Sequence, residues 1–146
     1  MKKLNEMKLR IPAKSVNEGF ARAAIAAFTA LCDPTVEELG DVKTAVSEAV
    51  TNAIVHGYRE REGFITLDAA IYEGNLLKIR VKDRGVGIED VKKAMEPLYT
   101  TAGDDRSGLG FTVMESFSDK LQVRSKPGVG TTVTIQKYIR GKNAPR

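Results

Sequence analysis

The chain has 146 residues, 42% hydrophobic and 29% charged, with a formal net charge of +4. That is enough for one domain with a real core, and no apolar run approaches the roughly 20 residues that span a bilayer. The charged start, residues 1–7, excludes a secretion signal, and the lone Cys32 excludes an internal disulfide, so a reducing cytoplasm is the expected setting.

Residues 7–12 alternate and predict a short first strand. Ser15-x-x-Glu18 has the form of a capping box, opening a helix to about residue 32. On it Phe20, Ala24, Ala27, Phe28 and Leu31 make the expected core stripe. The opposite side, with Arg22, Ala26 and Thr29, is bare enough to be either a docking surface around Arg22 or an ordinary alanine-rich face. A second helix starts at Pro34 or Thr35 and ends near Gly57. Its core stripe runs from Val42 through Val46 and Val50 to Ile54. Glu48 and Asn52, four apart, share a face beside that stripe. A carboxylate there can take a proton and an amide oxygen suits Mg²⁺, while the spacing alone equally describes a solvated pair.

Residues 64–72 and 76–83 are strands joined across Glu73-Gly74-Asn75. In the second, Leu77, Ile79 and Val81 alternate with charged residues, and Asp83 falls in phase with the apolar row. A carboxylate facing the interior needs partners. In Asp83-Arg84-Gly85-Val86-Gly87 it is either the floor of a glycine-walled pocket or an Asp-Gly turn ending a strand. Residues 90–95 predict a short helix, and 97–107 a mobile lid containing Thr100 and Thr101. Arg106-Ser107-Gly108-Leu109-Gly110-Phe111 opens a helix over 108–117, where free N–H groups and the helix dipole suit a phosphate; a flexible glycine loop is the alternative. A last hairpin joins 121–125 to 131–139, with the Thr131 hydroxyl in phase with Val133 and Ile135 and therefore facing inward. The order predicts an α/β sandwich: a mixed, mostly antiparallel sheet with helices on one face. It forms one domain over 1–139, followed by a mobile tail over 140–146.

Four motifs in this order resemble the GHKL (Bergerat) ATP-binding fold of gyrase, Hsp90, histidine-kinase and MutL ATPase domains. The resemblance covers nearly the whole chain. Ser15-Val16-Asn17-Glu18-Gly19-Phe20-Ala21-Arg22, Asp33-Pro34-Thr35, the run from Lys43 to Ala53, and Pro97-Leu98-Tyr99-Thr100-Thr101 are similar to the anti-sigma serine kinases, most closely their sporulation F-type group. The resemblance implies that ATP or ADP binds with Mg²⁺. Asp83 would accept from the adenine amino group, Thr131 would hold the adenine edge, and Gly85 and Gly87 would let the base lie against the backbone. Asn52 would ligate Mg²⁺ and Glu48 would act as general base. Gly108 and Gly110 would receive phosphates, with Thr100, Thr101 and Ser107 in the same site. Arg106 would offset γ-phosphate charge or stand as a surface lid arginine.

By the same resemblance the γ-phosphoryl group passes to a serine of an anti-anti-sigma protein. A sigma factor of the F type is also bound and kept from RNA polymerase, with Arg22 on the partner side and a homodimer formed along the first strand. A non-catalytic, nucleotide-dependent sigma-binding module and a general-stress anti-sigma kinase are the alternatives. His56, the one histidine, is expected to pack or cap a helix end, and no helical hairpin presents a phosphoacceptor histidine, which argues against a complete sensor kinase. Direct nucleic-acid binding is not expected, because Lys2, Lys3, Lys137, Arg140, Lys142 and Arg146 place much of the basic excess near the termini.

Overall fold

A computed structural model of the chain describes residues 1–59, 61–96 and 106–142, the last from its backbone alone over 106–109. Five strands form one sheet: β1 (Lys3–Pro12), β2 (Phe64–Tyr72), β3 (Leu76–Asp83), β4 (Lys120–Lys126) and β5 (Gly130–Tyr138). Their spatial order is β1-β2-β3-β5-β4, and each of these pairings is antiparallel. Helices α1 (Val16–Thr29), α2 (Val36–Asn52) and α4 (Arg106–Ser116) pack on one face; α3 (Val91–Ala94) is a single turn. The period of two in β3 places Leu77, Ile79, Val81 and Asp83 beneath the helices and sends Lys78, Arg80 and Lys82 to the open face. β1 runs four residues earlier than its alternation predicts. The charged start of the strand carries no apolar signal, and pairing along β2 up to Tyr72 sets its length.

The second helix follows its sequence pattern. Val42, Val46 and Val50 are buried with Ala45 and Ala49 between them, small enough for α2 to lie close on the sheet. Thr35 caps it: its Oγ1 accepts the Glu38 N–H and its own N–H donates to Glu38 Oε1, both at 3.0 Å. Glu38 also accepts the N–H groups of Arg140 and Gly141 at 2.7 and 3.1 Å, tying the segment after β5 to the start of α2.

The first helix departs from its pattern twice. Ser15 has helical dihedrals and makes no side-chain cap bond, so the predicted capping box does not form. Glu18 is drawn away to tertiary partners, accepting from the Ser47 hydroxyl and pairing with Arg22 at 3.4 Å. The core stripe is also rotated. Ala21, Ile25, Phe28 and Cys32 are buried, whereas Phe20 is 54% and Leu31 66% exposed. Thr29, assigned to the bare outer side, is fully buried and donates to the Ile25 carbonyl at 2.7 Å. Alanine reports no phase, so the two large residues misled the pattern. With Val16, Phe20 and Leu31 outward, α1 presents an apolar outer face.

Candidate functional site

Directly after Asn52, α2 widens into one π turn over Ala53–Gly57, closed by the Tyr58 N–H on the Ala53 carbonyl at 2.9 Å. The turn swings the Gly57 backbone across the end of β3. A Cβ on Gly57 would sit 2.9 Å from the Asp83 carboxylate, and one on Gly85 would collide with the Gly57 carbonyl. Val86 N–H donates to that same carbonyl at 2.8 Å. Gly87, at φ +75, abuts the Lys126–Pro127 backbone, and Gly130, at φ +138, abuts the Asp83 carbonyl. Gly85, Gly87 and Gly130 are thus required by crossings of backbone over backbone, and Gly57 by the Asp83 carboxylate.

Asp83 is only 6% exposed. Burial pushes its carboxyl above the usual carboxylate range, against the opposing pull of the Gly85 and Thr131 N–H groups. The Gly85 N–H reaches Asp83 Oδ1 at 2.9 Å. Beside it the Thr131 hydroxyl pairs with the Ser125 hydroxyl at 2.8 Å, and Ser125 also accepts the Ile88 N–H at 2.8 Å. Tyr58 completes the frame: its hydroxyl accepts the Arg84 N–H at 2.8 Å and donates to the Phe64 carbonyl at 2.5 Å.

A cavity of about 610 Å³ opens over this floor, with Asn52, Asp83, Gly87 and Thr131 in its walls together with His56 and Phe111. At its far end α4 lies against α2. A Cβ on Gly110 would stand 3.2 Å from both Asn52 Oδ1 and Glu48 Oε2, so the glycine lets the two helices meet at that pair. Asn52 Nδ2 is buried and has no hydrogen-bond partner among the described residues. An amide left unsatisfied in a polar cavity is suited to a ligand's oxygens, and turning the amide over would offer its oxygen to a cation. Among the described residues no three His, Cys, Asp or Glu side chains converge as metal ligands. The donor set therefore fits Mg²⁺ held by one amide oxygen and by phosphate oxygens, not by a protein cage.

Glu48 does not line this cavity. It lines a second cleft of about 410 Å³ between α1 and α2, with Arg22, Lys43 and Ser47. Asn52, in the wall of the first cavity, and Glu48, in the wall of the second, lie one turn apart on α2 and both flank Gly110. Arg106, Ser107 and Gly108 fall in the first turn of α4, which begins two residues before the predicted start. Thr100 and Thr101, with the rest of the expected lid up to residue 105, lie outside the described residues. Gly57, Tyr58 and Ser125 were missed. Ser125 was within reach of the rule that singled out Asp83, being a polar residue in phase with inward Leu121 and Val123. No local signal marks Gly57 or Tyr58, whose roles depend on a contact about 26 residues away.

Residues 11–137 match the model of the histidine kinase-like ATPase domain family. The chain is 55% identical over 140 residues to the anti-sigma F factor of Thermoanaerobacter sp. (strain X514), covering 95% of this chain and 97% of that one. It is 54% identical over 134 residues to the anti-sigma F factor of Clostridium acetobutylicum, covering 91% and 93%. Among solved structures, the RsbU and RsbW domains of Rv1364c from Mycobacterium tuberculosis superpose with a TM-score of 0.70 at 20% identity, over 98% of this chain and 35% of that longer one. The histidine kinase domain of the Erythrobacter litoralis EL346 blue-light activated histidine kinase gives 0.58 at 23% identity, over 84% and 61%. Both likenesses are of fold.

Proposed function

Since the chain belongs to the histidine kinase-like ATPase family and, within it, to the anti-sigma F factors, we propose that it is a Mg²⁺-dependent protein serine kinase that also captures a sporulation sigma factor. The observation that carries the kinase reading is the place of Glu48, beside the nucleotide-sized cavity yet lining the cleft between α1 and α2. A hydroxyl entering by the cleft meets a proton acceptor before it meets the phosphate.

Each step follows from the chain's own groups. Asp83 accepts the adenine amino hydrogen, and Ser125 fixes the Thr131 hydroxyl at the adenine edge. Asn52 would hold Mg²⁺, which would supply charge neutralisation when bound. The substrate oxygen attacks the γ-phosphorus, the bond to the bridging oxygen breaks, and Glu48 takes the hydroxyl proton. Most of the rate comes from holding acceptor and phosphate in line. Arg22, paired with Glu18 at the cleft mouth, faces the incoming protein. The anti-anti-sigma substrate docks over this cleft, and the sigma factor is held by the adjoining apolar face of α1. β1, an edge strand of ten residues, is the seam of a homodimer.

The test is to purify the chain from a sporulating host with whatever it binds, then supply γ-labelled ATP and Mg²⁺. Label on a serine of a co-purifying small protein, together with a retained sigma factor, is the expected result. Nucleotide and sigma bound without transfer would leave a non-catalytic binding module. A general-stress sigma factor in the complex would reassign the branch.

A further inference from the structure

The sheet face away from the helices is open, and its registers align fifteen positions in three rows across five strands. One row reads Arg10, Thr66, Lys82, Thr132, Arg124. The next reads Lys8, Asp68, Arg80, Thr134, Gln122. The third reads Glu6, Ala70, Lys78, Gln136, Lys120. Seven of these side chains are basic and two acidic, a surplus of five positive charges on one face of a chain whose whole net charge is +4. The acids engage at the β1 edge, Asp68 with Lys8 at 3.6 Å and Glu6 with Lys3 at 2.8 Å. Among the described residues no ion pair takes up Lys78, Arg80, Lys82, Lys120 or Arg124. In the linear sequence the basic excess near the termini gives no nucleic-acid signal; the fold gathers internal cations, invisible as a cluster until four pairings bring them together.

The chemistry of this face selects among anionic partners. A protein interface needs apolar or aromatic anchors and is depleted of lysine at its centre, whereas no aliphatic side chain larger than alanine occurs among the fifteen. Single-stranded nucleic acid needs aromatic platforms along its path; on this face Phe64, Tyr72 and Tyr138 stand only at the two ends, and the Arg10 guanidinium covers Phe64 at 3.7 Å. What they hold is cations alternating with threonine and glutamine, the groups that bond phosphate oxygens. Strands lie about 4.8 Å apart, so five of them span roughly 19 Å, wider than the roughly 12 Å major groove of B-DNA. The flat sheet must therefore lie across phosphates and cannot enter that groove to read bases. We propose that the open sheet face binds the phosphate backbone of duplex DNA without regard to sequence. This surface is separate from the nucleotide cavity, and the proposal stands independently of the kinase reading.

The experiment titrates the full chain into a fluorescently labelled DNA duplex of arbitrary sequence over about 50–200 mM salt. Binding at the low end is expected, with log K falling against log[salt] at a slope of about −4 to −6. The triple variant Arg80→Gln, Lys82→Gln, Arg124→Gln should reduce that slope by about 3 and weaken low-salt affinity at least ~10-fold. A charge-matched variant off the face, Lys14→Gln, Lys92→Gln, Lys142→Gln, should stay within about twofold, since its cations contact no phosphate. Circular dichroism confirms folding of each variant; if the triple variant is unfolded, Lys78→Gln, Lys120→Gln is used in its place. Absence of low-salt binding, or an unchanged slope in the face variant, overturns the proposal. So does tighter binding of an RNA duplex, a single strand or polyglutamate than of the DNA duplex.

Discussion

The two ends of the cavity are built differently. At the Asp83 end every polar group is engaged: the carboxylate with backbone N–H groups, Thr131 with Ser125, Arg84 with Tyr58. At the Asn52 end a buried amide nitrogen stands without a partner among the described residues, beside Glu48 and the backbone of Gly110. The first end is braced by the protein itself; the second, on the proposed reading, is completed by a ligand. Shape recognition of a base needs a fixed frame, while a triphosphate and its metal bring their own oxygens and charge, and a site that satisfied Asn52 internally would compete with them.

The largest effect that would sharpen this contrast lies at the unfinished end. Glu48→Gln should keep nucleotide affinity and sigma capture yet slow phosphoryl transfer by about 10²–10⁴. Single-turnover transfer with labelled ATP measures it, and a near-normal rate would leave positioning and metal as the whole mechanism. At the finished end, Asp83→Asn should weaken ATP by about ten- to a hundredfold through loss of a charged hydrogen bond worth roughly 1.5–3 kcal/mol, read by calorimetry. Asn52→Ala should leave binding without Mg²⁺ little changed and abolish most of the gain that Mg²⁺ gives, which separates the two ends in one titration.

Acidity probes the same frame with two opposite signs. The folded-state pKa of Asp83 is raised above its unfolded value by burial. Between the two values the folded protein holds more protons, so nucleotide-free stability falls as pH rises through that window and the burial penalty is fully present above it. ATP affinity runs the other way, because the acceptor must be ionised, and weakens as pH falls through the raised pKa. The difference between wild type and the Asp83→Asn variant, in melting curves and calorimetry across the acid range, should show the two trends. The smallest effect is remote from the cavity. Glu38→Ala should cost about 1–2 kcal/mol by removing the Thr35 box and the clamp on Arg140 and Gly141, measured by urea unfolding. Partial burial disfavours the Glu38 charge, but the N–H groups of Thr35, Arg140 and Gly141 outweigh it and lower its pKa. Its contribution is therefore present above the unfolded pKa and lost as pH falls through the folded one.

Strands β2 and β3, the core stripe of α2 and the inward phase of Asp83 were legible because period and burial agree there. The phase of α1 was not, because a helix rich in alanine carries few large residues to report its orientation, and Phe20 and Leu31 face outward. The Ser15 box failed for a related reason: a local rule lost Glu18 to Ser47 and Arg22 on neighbouring turns. In the candidate site, Asp83 and Asn52, which line one cavity, are marked in the sequence by phase and residue type. The residues that hold them in place, Gly57, Tyr58 and Ser125, act across the fold and leave little trace in the linear text.

The glycines around Asp83 have a consequence for judging relatives of this chain. Gly85, Gly87 and Gly130 are demanded by main chain passing over main chain, with no nucleotide in the account. A descendant that had lost catalysis altogether would still be obliged to keep them, or its sheet and π turn would not close. A preserved glycine signature in this fold therefore certifies the architecture and says nothing about turnover. The discriminating positions are 48 and 52, where drift in an inactive copy would meet no structural resistance of that kind.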